Sequence, residues 1–142
     1  MPVPGEIWRH SCYYVINAVP KPKYLLVLAV AGGDVVYRLT TSRKNDRPDD
    51  PACFHGDPYP GYFLGVIGSP RLTRPSWLDL RECDDHDLVE FNALVAANVL
   101  ALEATLPHAI LCPALLCATN AGDTTGLQTK RMYQTRAQLN CP

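Results

Sequence analysis

The chain has 142 residues, 47% hydrophobic and 19% charged, which fits a single folded domain and excludes disorder as an account of the whole. Its 13 basic and 14 acidic residues leave a net charge of −1, so no global field draws in nucleic acid. Any anion-binding surface must come from local segregation, and the charges do segregate. Acidic residues crowd into Asp46 to Asp57 and Asp79 to Glu90, basic ones into Arg9 to Lys23, Arg38 to Arg47, Arg71 to Arg81 and Lys130 to Arg136.

Gly5 to Trp8 and Ser11 to Ile16 both have strand composition, the second rich in aromatic and β-branched residues. Pro20-Lys21-Pro22-Lys23 reads as a basic bend broken by proline. Tyr24 to Val30 is apolar on both faces, as a central strand requires. Gly32-Gly33 supplies the positive-φ positions of a tight turn, and Val35 to Thr40 returns as the antiparallel partner. Residues 42–61 form a long polar loop rich in Pro and Gly, a length that points to function or mobility. Tyr62 to Ile67 and Pro75 to Leu80 are further strands, with Trp77 as a core anchor.

The second half changes character. Asp84-Asp85-His86-Asp87 stacks capping residues ahead of an Ala/Leu/Val run and predicts a helix over residues 87–97. Residues 99–106 read as an extension of that helix or, in preference, a last strand. Pro107 suits a first helical turn, residues 109–118 a buried helix kinked or started at Pro113, and residues 127–139 a final helix. On that last helix Lys130, Arg131 and Arg136 are expected on a solvated face. The whole is one domain over 1–142, with a barrel over about 5–106 and a helical extension over about 107–142.

Six cysteines could form a disulfide framework, but the opening Met1-Pro2-Val3-Pro4-Gly5 does not resemble a secretory leader. Reduced thiols, no structural zinc and a cytoplasmic location are therefore expected. No apolar run reaches the length of a membrane span, so no membrane partner is expected either.

The order of strands, the Gly32-Gly33 hairpin and the strand end Leu39-Thr40-Thr41-Ser42-Arg43 resemble the PemK/MazF family over about residues 5–80. The resemblance implies a mainly β fold, a small SH3-like barrel carrying C-terminal helices. It also implies a toxin-like endoribonuclease that cleaves single-stranded RNA without a metal or other cofactor. An antitoxin protein and a second copy in a homodimer are the implied partners. Thr41 falls at the family's catalytic hydroxyl. Lys23, and next to it Lys21, stand where the family has Arg before Pro, and Arg43 can share that Arg's role. Lysine is a point charge and not a planar fork, so the substitution is not conservative.

Metal-free cleavage of RNA needs an acceptor for the 2′-hydroxyl proton, a donor to the leaving oxygen and positive charge on the phosphorane. Around that centre Ser42, Lys21, His55, Tyr59 and Arg74 are the candidate RNA-binding residues, His55 and Tyr59 through stacking on bases. Arg71 and Arg81, flanking the Trp77 strand, could track phosphate with Arg74. Two alternatives remain: a binding module that has lost the catalytic Arg, and a metal-dependent hydrolase built on Cys53, His55, Cys83 and His86. Cys53-x-His55 is tight for a zinc pair, and no Cys-x-x-Cys follows it.

Overall fold

The computed structural model describes all residues from 1 to 142. The elements in chain order are β1 (Glu6–Ile16), β2 (Val19–Ala31), β3 (Asp34–Thr41), β4 (Cys53–Phe54), β5 (Gly61–Val66), β6 (Pro75–Asp79), β7 (Asp84–Asp87), α1 (Leu88–Ala96), β8 (Leu100–Thr105), α2 (His108–Thr119) and α3 (Gly126–Gln138). The fold is mainly β, with one antiparallel sheet ordered β4-β5-β6-β3-β2-β1-β8. β3 serves two neighbours. Its first half pairs with β7, and its end pairs with β6 through Thr40↔Leu78 and Thr41↔Trp77.

Strand alternation explains why β2 is apolar on both faces. Leu26 and Leu28 join a core with Ile7, Val36, Leu78 and the α2 residues Leu111 and Leu115, while Leu25 and Val27 join a second core with Trp8, Tyr37, Phe91 and Leu100. Helices α2 and α3 therefore cover one face, and α1 the other through Phe91. The Trp8 and Phe91 rings meet edge-on at 5.4 Å. Trp77 is buried, as its composition indicated, and donates from Nε1 to the Pro48 carbonyl at 3.0 Å. The hairpin turns at Gly32-Gly33, with φ of 59° and 82°. Over Gly32 lies the Arg131 guanidinium, so a Cβ there would come within 2.7 Å of Nη2.

Several expectations are corrected. Glu6–Trp8 and Ser11–Ile16 belong to one strand, β1, irregular between His10 and Tyr14, with Gly5 in the turn before it. Pro20–Lys23 is no bend but part of β2, and the chain reverses earlier, at Asn17-Ala18, both in the left-handed region. β2 pairs with β3 only from Tyr24 onward, so Pro20 and Pro22 lie where no β3 partner asks for their N–H groups. Asp84–Asp87 forms β7 on the free edge of β3, and only Asp87 caps α1, accepting from the Glu90 amide at 3.1 Å. Lys130 is exposed as expected, but Arg131 and Arg136 are half-buried and partnered. Arg131 pairs with Asp34 at 2.6 Å, and Arg136 donates to the Cys112 carbonyl at 3.0 Å.

The thiols are not all reduced. Cys53–Cys117 ties β4 to α2, and Cys112–Cys141 ties α2 to the chain end, leaving Cys12 and Cys83 free. Their separations of 64 and 29 residues carry no local spacing signal, and only the docking of α2 brings the pairs together. Burial pushes the Cys83 thiol up to about 12, so it stays protonated and inert, whereas Cys12 is exposed. Thiol titration of the native protein should accordingly find one fast group, with a second reacting only in denaturant. Reductant added to the denatured chain should raise the total to all 6 cysteines. Six thiols without reductant would contradict both bridges.

Candidate functional site in the groove beside the strand end

Where the prolines part β2 from β3, the β1–β2 arm and the end of β3 leave a groove of ≈ 820 Å³ between them. Tyr14, Ile16, Lys21, Pro22 and Lys23 line the arm side. Thr40, Thr41, Arg43 and Asn45 line the strand-end side, and Tyr59, Asp79, Arg81, Glu82 and Asp84 complete the wall. A smaller hollow of ≈ 330 Å³ continues it, sharing Lys23, Thr41 and Arg43 and adding Ser42, Arg71 and Arg74.

The fold thus places Lys21, Lys23, Thr41, Arg43 and Tyr59 on one groove and Ser42 and Arg74 on its extension. His55 is elsewhere. It borders a third hollow of ≈ 350 Å³ with Asp57, Arg81 and Asp123, and its ring turns toward the Cys53 and Cys117 sulfurs. The four residues of the metal-hydrolase alternative are likewise dispersed. Cys83 is half-buried against the main core, and His86 sits on β7 against Phe91.

Thr41 Oγ1 accepts from the Arg43 amide at 3.1 Å, which leaves its own proton free to donate. Lys21, Lys23, Arg43 and Arg74 take part in none of the six ion pairs of the molecule. Their charges are available to an anionic ligand. At the opposite end Glu82 and Asp84 bring negative charge, so the groove is polarised along its length. Tyr37 is not a base at neutral pH, because burial and its hydrogen bond with Tyr13 at 3.1 Å raise its phenol far above the usual value.

Beneath the groove lies a charge network that the sequence did not announce. Arg38 is fully buried; it pairs with Asp123 at 2.7 Å and donates to the Asp79 carbonyl at 3.3 Å. Arg47, equally buried, donates to the carbonyls of Arg43 at 2.9 Å and Pro60 at 3.3 Å. Gly61 permits this, since a Cβ there would meet Arg47 Cδ at 2.8 Å. The carboxylate of Asp79 takes Arg81 in a fork, Nε to Oδ1 at 3.1 Å and Nη2 to Oδ2 at 2.7 Å, and lies 3.7 Å from Arg47. Both guanidiniums also approach the Tyr59 ring, at 5.2 and 5.0 Å.

One signal for Arg38 was present. By alternation it shares a face with Val36, which is in the main core, so a cation there had to find a buried acceptor. No such signal existed for Arg47, whose neighbours in sequence are polar loop residues.

Compared with protein-family models, with curated proteins and with solved structures, the chain matches none.

Burial alone would raise the Asp79 carboxyl, but the hydrogen bonds and charges of Arg81, with the charge of Arg47, outweigh it and hold the group below its usual 3.8. A depressed folded pKa stabilises the fold above the unfolded value, and the contribution is lost as pH falls from near 3.8 through the folded pKa. Asp79→Asn should cost roughly 3 kcal/mol at neutral pH, because Arg47 is left buried without its countercharge. Urea titrations of both proteins across that acid range should show the stability gap narrowing as pH drops. A gap independent of pH would contradict the ionised network.

Proposed function

We propose that this chain binds single-stranded RNA in the groove between the β1–β2 arm and the end of β3, and cleaves it there without a metal. The observation that carries the reading is the convergence on one groove of a free hydroxyl, Thr41, with three unpaired cations, Lys21, Lys23 and Arg43. The resemblance of residues 5–80 to the PemK/MazF family supports the same chemistry and implies an antitoxin and a second copy as partners.

In this reading Lys21 and Arg74 hold flanking phosphates, and a base stacks on Tyr59, whose ring two guanidiniums already fix in place. Lys23 and Arg43 stabilise the charge that builds on the phosphorane. Thr41, its Oγ1 oriented by the Arg43 amide, donates to a phosphate oxygen. Water in the open groove takes the 2′-hydroxyl proton, since Glu82 and Asp84 stand at the far end, Asp84 opposite Tyr37. Attack of the 2′-oxygen on phosphorus breaks the bond to the 5′-oxygen and leaves a cyclic phosphate, with the 5′-oxygen taking its proton from the Lys23 ammonium, which solvent restores.

Single-turnover cleavage of a mixed-sequence RNA in excess chelator tests this. Wild type should cleave, and Lys23→Ala or Arg43→Ala should each lower the rate on the order of 10² to 10³, the loss typical of one preorganised donor. Thr41→Val should lower the rate with little change in RNA affinity. Binding without cleavage would assign the groove to a non-catalytic module, and cleavage abolished by chelator would contradict the metal-free mechanism.

A further inference from the structure

His55, which the RNA groove does not use, presents its Nε2 to the Cys53 sulfur at 3.3 Å and to the Cys117 sulfur at 3.8 Å. Strand alternation accounts for the first contact. His55 directly follows β4 and continues its alternation, so it faces the same way as Cys53, and a spacing that looks too tight for a metal pair converges. The packing of α2 on the sheet supplies Cys117. The three donor atoms lie within 4.8 Å of one another.

We propose that reduction of the Cys53–Cys117 bridge converts this cluster into a zinc site, with Cys53 and Cys117 thiolates and His55 Nε2 as ligands and water in the fourth position. With zinc–sulfur bonds of about 2.3 Å and zinc–nitrogen bonds of about 2.05 Å, a tetrahedral site has sulfur–nitrogen edges of about 3.6 Å. The two distances present bracket that value. The sulfurs must part to about 3.8 Å, which side-chain rotation achieves from Cα atoms 5.7 Å apart. The hollow beside His55, lined by Asp57 and Asn120, gives water access to the fourth position. Two thiolates and an imidazole favour zinc over the hard cations calcium and magnesium.

The chemistry balances with a phosphine as reductant. The phosphine and one water convert the disulfide to two thiols and become a phosphine oxide, and zinc then displaces the two thiol protons. The tie between β4 and α2 is thereby kept in both redox states, covalently when oxidised and through the metal when reduced. The site lies outside the proposed catalytic groove, and its test does not depend on RNA cleavage.

Cobalt(II) is the probe, added to oxidised and to phosphine-reduced protein. The reduced protein should take up one equivalent, shown by visible bands of tetrahedral cobalt and a thiolate charge-transfer band, and zinc should displace it. The oxidised protein should show neither. His55→Ala, at an exposed position where folding is not at stake, should weaken binding on the order of 10². Cys112→Ser with Cys141→Ser should leave the cobalt spectrum unchanged, and zinc should raise the melting temperature of reduced wild type but not of reduced His55→Ala. No cobalt bands in the reduced protein, or bands that survive His55→Ala at full affinity, would overturn the proposal.

Discussion

Two guanidiniums sealed inside a β domain must be given acceptors, and meeting that demand organises the rest of this molecule. Moving such an ion out of water costs several kcal/mol even after relaxation, so Arg38 and Arg47 are tolerated only because acceptors converge on them. Asp79 is common to both, offering its carbonyl to Arg38 and its carboxylate to Arg47 and Arg81. Satisfaction is incomplete, since Arg38 Nε and Arg47 Nη2 lack hydrogen bonds. What the arrangement supplies is position. Arg47 fixes the backbone at Arg43 and Pro60, Arg81 is held beside Tyr59, and Arg38 reaches Asp123 in the α2–α3 connection.

The groove is a consequence of strand pairing. β2 is shared between β1 and β3 only while it can donate on both sides, and its prolines lie beyond the point where β3 pairing stops. The β1–β2 ribbon therefore continues alone, carrying Lys21 and Lys23 away from the strand end that carries Thr41 and Arg43. A separation at that point opens the space, and the local sequence lines it with two lysines on one side and a hydroxyl with Arg43 on the other. Covering the sheet on both faces, with α2 and α3 against one core and Phe91 of α1 against the other, keeps the opening from relaxing into the interior.

Local pattern made much of this legible. The doubly apolar run at Tyr24–Val30, the glycine turn and buried Trp77 are all where composition and turn chemistry put them, as are the last strand and the two C-terminal helices. What failed were features decided by distant partners. A proline pair read as a bend lies in a strand because an absent neighbour makes it harmless. The acidic quartet before α1 reads as caps, yet the free edge of β3 draws it into a strand. The disulfides and the buried arginines depend on which residues α2 and the long loop bring across space. Lys21, Lys23, Thr41 and Arg43 line one groove because β2 parts from β3 at the strand end, and the sequence links the two segments only through the family resemblance. His55 does not, since its ring turns to the sulfurs of Cys53 and Cys117.

On the proposed function, a chain of net charge −1 holds an RNA site made by local segregation of cations. Lys21, Lys23, Arg43 and Arg74 are the unpaired cations along the groove and its extension. The salt dependence of single-stranded RNA binding, measured by fluorescence anisotropy in the presence of chelator, reads how many phosphates they neutralise. Three phosphates, one held by Lys21, one by Arg74 and the scissile one by Lys23 with Arg43, predict a slope of log affinity against log salt of about −2, and Lys21→Ala should make it shallower by about 0.7. A slope near zero, or one untouched by removing Lys21, would contradict the account.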